Sequence, residues 1–146
     1  MLEEAGWALG GLTLARAAFG PGVGVVVLGV VWSAWHVIPS RFGVMFPELQ
    51  HAPPLMLATF LVTCVVYRAL LTRLRDRAGT WLAAAAGHAA PNVALSAVLC
   101  LGLDLRPAPG GPWMLFPAPG GVVFLVAASV ALHLMLRRSG PVRGDS

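Results

Sequence analysis

The chain has 146 residues, of which 58% are hydrophobic and 11% charged, and its mean hydropathy is +0.78. A soluble domain carries about 25% charged residues, so this composition excludes an ordinary water-soluble fold. The net charge of +4 comes from arginines, with no lysine, gathered in short clusters; that pattern argues against nucleic acid as a partner and for control of membrane orientation.

In chain order, Leu2 to Ala18 reads as a helical segment that starts with Glu3 and Glu4 and is closed by Gly20-Pro21-Gly22. Beyond it, long stretches free of Asp, Glu, Lys and Arg recur up to Leu136. About 20 apolar residues cross a bilayer, which predicts spans near 19–38, 55–71, 80–101 and 120–136. The expected fold is therefore all-α, a polytopic membrane helix bundle of about four transmembrane spans plus an N-terminal helix. It fills 1–138, and 139–146 reads as a flexible tail. Arg16, Arg68, Arg73, Arg75, Arg77, Arg137, Arg138 and Arg143 fall on one side, against Arg41 and Arg106 on the other. By the positive-inside rule the loop after the second span and the C-terminus are cytoplasmic.

The remaining features have plain structural readings. Trp81, Trp113 and Phe116 suit an interfacial aromatic belt, and the Pro/Gly-rich stretch Pro107 to Gly121 reads as an external loop. Cys64 and Cys100 read as packing residues within spans. The first apolar run opens on two acids instead of a basic region, so it is not read as a secretory signal.

Ionisable groups inside spans cost free energy unless they pair or line a wet cavity, so each is a functional candidate. His36 lies late in the first span, in Trp32-Ser-Ala-Trp35-His36-Val-Ile-Pro39. His88 and Asn92 are four apart and share a helix face, with Pro91 in the same turn. Glu3 and Glu4, as helical neighbours, point roughly 100° apart, so only one aims squarely at a given site. His133, near Arg137, reads as interfacial. From the cytoplasmic helix ends, rise per residue puts Glu3, His36 and His88 roughly 20, 26 and 17 Å deep. Together the candidates bring carboxylates, two imidazoles and an amide, the materials of acid–base chemistry.

Glu3-Glu4-Ala-Gly-Trp7, Trp32-x-x-Trp35-His36-x-x-Pro39 and His88-x-x-x-Asn92 resemble, in order and spacing, the three motifs of the CAAX protease and bacteriocin-processing (CPBP, or Abi) intramembrane endopeptidases. The resemblance implies a membrane-embedded hydrolase acting on a membrane-associated peptide or protein, with Glu3, Glu4, His36, His88 and Asn92 as site residues. It implies Glu3 as general base assisted by His36, with His88 and Asn92 donating to the oxyanion. The alternative route is a metalloprotease, in which Glu3, His36 and His88 would hold Zn²⁺ and lower the pKa of its water. The family's first motif carries an Arg where this chain has Ala8, so the carboxylates are expected to lack their cation. Arg16 lies too far along to replace it. Family members also carry helices ahead of the first motif, so the chain resembles a C-terminal core, and weak cleavage is expected of it.

Two further readings compete. A non-enzymatic immunity or scaffold protein would use the same polar groove to bind a peptide or partner helices. A transporter fragment would use the histidines and glutamates as a proton relay, although broken-helix repeats are missing from the sequence. Arginine without lysine suggests a GC-rich coding bias, and hence a bacterial plasma membrane.

Overall fold

The computed structural model describes residues 2–101 and 121–137, and among these every regular element is helical. A short α1 (Leu2–Glu4) runs through a π-helical segment (Ala5–Gly11) into α2 (Leu12–Phe19). The wider π turn is visible in the bond from the Leu12 N–H to the Trp7 carbonyl, five residues back. π segments of this kind occur mostly inside α-helices and often at functional sites. Gly20 ends the run with φ at 80°, a conformation that costs a side-chain-bearing residue free energy. Pro21 then opens α3 (Pro21–Arg41) from its first turn, where its missing N–H loses nothing.

The short α4 (Pro47–Gln50) leads to α5 (Pro54–Ala78), which is followed by α6 (Trp81–Cys100) and α7 (Val122–Arg137). Helix α5 is the centre of the bundle and packs against α3, α6 and α7. Its close crossing with α3 depends on Gly29, where a Cβ would fall 2.7 Å from the Val65 Cα. The core of the bundle joins Trp32, Phe60, Cys64, Tyr67 and Leu71 with Ala84 and Ala128. A smaller cluster of Leu12, Ala15 and Leu28 packs α2 on α3.

Two helices, α3 and α5, are long and apolar enough to cross a membrane, and α7 is a shorter apolar helix. On α3 the large side chains Val23, Val26, Val30 and Ile38 stand exposed at helical spacing. Such a stripe has no partner among the described residues and suits an apolar surround. The expected segments 80–101 and 120–136 correspond nearly end to end to the helices α6 and α7. The expected 55–71 span is the first part of a helix that continues to Ala78, so the turn between α5 and α6 is only Gly79 and Thr80. Arg68 therefore lies within a helix and not in a loop. Arg16 reaches from α2 to Asp76 near the end of α5, at 3.2 and 2.6 Å, which puts those two helix ends at the same level. The expected external loop over 107–120, with Trp113 and Phe116, lies outside the described residues, as do Arg106, Arg138, Arg143 and the 139–146 tail.

Candidate functional site

The first helical run and α3 meet at Glu3. Its Oε1 accepts from the Trp7 indole, one turn along, at 3.1 Å and from the Trp32 indole on α3 at 2.9 Å. Indole N–H groups only donate, so this oxygen is fixed as an acceptor. Across from it, His36 Nε2 stands 3.9 Å from the same oxygen. Its Nδ1 lies 2.8 Å from the Trp32 carbonyl. A carbonyl can only accept, so Nδ1 carries the hydrogen, and in the neutral ring Nε2 keeps its lone pair towards Glu3.

The chain around Pro39 holds His36 in place. Ser40 Oγ donates to the His36 carbonyl at 2.6 Å and accepts from the Phe46 N–H at 3.1 Å. That pair draws the stretch after α3 back over the imidazole, where the Phe46 ring sits 5.5 Å from it. Phe60 of α5 packs edge-on at 6.0 Å on another side. His36 is buried in consequence.

Glu4 takes a different direction, as the angle between helical neighbours requires. Its side chain is only 1% exposed, and its two oxygens accept from Arg68 at 2.8 and 2.9 Å in a bidentate pair. The expectation that the carboxylates lack a cation is thus overturned. The guanidinium comes from α5, 64 residues away, while Ala8 is buried in the core. Arg68 also lies 4.1 Å over the Trp32 ring, a cation–π contact that ties it to the residue holding Glu3.

Helix α6 brings His88, whose Nδ1 is 2.9 Å from Glu4 Oε1. Pro91 explains how α6 is seated. A proline has no N–H for the carbonyl four residues back, which here is Gly87, and the Tyr67 hydroxyl of α5 donates to that carbonyl at 2.6 Å. The freed acceptor thus becomes an interhelical bond beside His88. The His88 ring is further packed edge-on by Trp32 at 5.2 Å.

Glu3, Trp32, His36, His88 and Asn92 all line one cavity of about 130 Å³, closed on its apolar side by Met45, Phe46 and Phe60. Asn92 is exposed at its edge. A second, shallower cleft shares Glu3, His88 and Asn92 and adds Glu4 with Ala85 and Ala89. Of Glu3, Glu4, His36, His88 and Asn92, Glu4 alone does not line the first cavity. His133 is exposed on α7, outside both groups.

The zinc arrangement does not form, since among the described residues no three His, Cys, Asp or Glu side chains are placed to hold a metal ion. Glu3 leans on two indoles and His88 on Glu4, so the three prospective ligands face different partners. Two residues that sequence reasoning did not assign to the site, Arg68 and Trp32, connect Glu3, Glu4, His36 and His88. The available signal for Arg68 was an arginine at the end of an apolar run, which also reads as orientation.

No family matches this chain, and no curated protein or solved structure is significantly similar to it.

Proposed function

We propose that this chain is an intramembrane endopeptidase of the CPBP type, hydrolysing a peptide bond in a membrane-associated peptide or protein. The observation that carries the reading is the approach of Glu3 Oε1 and His36 Nε2 to 3.9 Å across a shared cavity. Both atoms are acceptors, and a separation beyond direct hydrogen bonding suits a bridging water. A water there would donate both protons and present its oxygen lone pairs to a scissile carbonyl, which is general-base activation. Asn92, at the edge of the same cavity, supplies N–H donors for the oxyanion, and His88 lines the cavity beside it. The bidentate Arg68 supplies the cation that Ala8 does not.

A fluorogenic-peptide assay of the chain in detergent tests this. Turnover is expected, and Glu3→Gln or His36→Gln should lower kcat by about 100-fold or more. Turnover that survives both substitutions refutes the reading. Saturable peptide binding without turnover would favour the non-enzymatic binder.

The proposed setting is the plasma membrane of a bacterium, with four spans and the turn between α5 and α6 cytoplasmic. With Arg68 removed from the loop count, the arginine imbalance is still seven to two, which supports that orientation. Alkaline phosphatase fused after Arg77 should be inactive, and an active fusion refutes the topology.

A further inference from the structure

We propose that His88 is the acid that protonates the leaving amine, and that Glu4 and Arg68 are the positioning pair that fixes its tautomer. The proposal rests on the peptidase reading above. Both Glu4 oxygens accept from the guanidinium, which keeps this carboxylate an acceptor. The His88 nitrogen 2.9 Å from Glu4 Oε1 must then be the one carrying hydrogen. Nδ1 and Nε2 lie on opposite edges of an imidazole, so Nε2 faces away from Glu4 on a ring that lines the cavity.

The two histidines differ in what stands behind Nδ1. For His36 it is a neutral carbonyl, which orients the ring without balancing a positive charge. For His88 it is a carboxylate, which both orients the ring and compensates the imidazolium formed when Nε2 takes a second proton. One imidazole is thus equipped to accept a proton from water and the other to carry one and release it. Paired groups in unequal surroundings are how a site divides base from acid. Ring contacts from Trp32 and Tyr67, at 86° and 88° to the imidazole, hold it edge-on, so its proton is delivered along one direction.

In the step itself, the water oxygen bonds to the carbonyl carbon and gives one proton to the Glu3–His36 pair. The C–N bond then breaks, its electron pair stays on nitrogen, and that nitrogen takes the Nε2 proton of His88. Acid and amine leave; the Glu3–His36 pair releases its proton to water and His88 regains one from water, so the site is restored.

The test compares a peptide amide with the p-nitrophenyl ester of the same acyl group, because nitrophenolate leaves without needing a proton. His88→Gln should lower the amide rate by about 100-fold or more and the ester rate by less than about 10-fold, the amide arm reading the acid. Glu4→Met combined with Arg68→Met should show the same split while retaining helical circular dichroism. In ¹⁵N-histidine spectra of the intact chain in micelles, His88 should be protonated at Nδ1, and the double variant should lose that preference. Equal losses on amide and ester would make His88 an oxyanion donor and overturn the acid role alone. A His88 that carries no hydrogen at Nδ1 in an active chain would overturn the positioning role. A chain with the expected tautomer that cleaves neither substrate overturns the peptidase reading, and the acid role with it.

Discussion

Removing Arg68 alone should damage this protein far more than removing Arg68 and Glu4 together. The pair is bidentate at 2.8 and 2.9 Å, with side chains only 2% and 1% exposed. Arg68→Met leaves a buried carboxylate without its guanidinium, and breaking one half of such a pair costs about 3–5 kcal/mol. Loss of the cation–π contact with Trp32 adds about 1–2 kcal/mol at a desolvated site. Replacing both partners by apolar side chains of similar length removes the two desolvation costs at once, and such exchanges are often neutral or stabilising. Arg68 also carries a buried Nε with no hydrogen-bond partner among the described residues, so the charged pair starts from an imperfect balance. The double Met variant should therefore lie within about 2 kcal/mol of the parent. Unfolding in micelles by increasing SDS fraction, followed by circular dichroism, gives the three free energies. An Arg68→Met loss under about 1 kcal/mol, or a double variant at least as unstable as the single one, would refute this account of the pair.

Ala8→Arg, which the motif comparison alone would favour as a repair, should destabilise the fold, because Ala8 is 2% exposed and Glu4 already has its guanidinium; the same SDS titration checks it, and a gain in stability would contradict it. Gly29→Ala should cost about 1–3 kcal/mol through overpacking against the Val65 backbone, and an unchanged midpoint would refute the close crossing. Trp32→Phe retains a ring but loses the 2.9 Å donor to Glu3, so kcat should fall by about 10-fold, roughly 1.4 kcal/mol, with the peptide KM little changed. Arg16→Ala should cost under about 1 kcal/mol despite its short bond to Asp76, since both side chains are about a third exposed and such pairs contribute little.

The sequence is most informative where one helix carries the whole signal. The break at Gly20-Pro21, the helices beneath the apolar runs and the shared face of His88 and Asn92 follow from local periodicity and backbone chemistry. The divergence of Glu3 and Glu4 follows in the same way, from the angle between helical neighbours. What could not be read was which residue met each of them. Arg68 stands at the end of an apolar run, where orientation and pairing leave the same mark, and its partner is 64 positions away. Trp32 likewise reads as an aromatic in a membrane helix until its indole is found on Glu3. The π segment was hidden too, since Ala-Gly-Trp-Ala-Leu-Gly-Gly has no breaker that separates a five-residue bond from a four-residue one. Apolar character alone also does not fix the number of crossings, because a helix buried in a core and one facing lipid share it.

The separation between Glu4 and Arg68 also sets an order of events during synthesis. Ribosomes add about 5–20 residues per second, so the arginine is made about 3–13 s after the glutamate it neutralises. For that interval Glu4 has no guanidinium beside it, and in the membrane setting proposed above the first helix is expected to wait at the interface until α5 arrives. Nascent chains halted before Arg68 should leave the first helix open to protease, whereas chains halted after α5 has cleared the ribosome should protect it. Protection before Arg68 has been made would mean that the first helix settles unaided. The middle of α5, where Arg68 stands, thus decides when the beginning of the chain can take its final place.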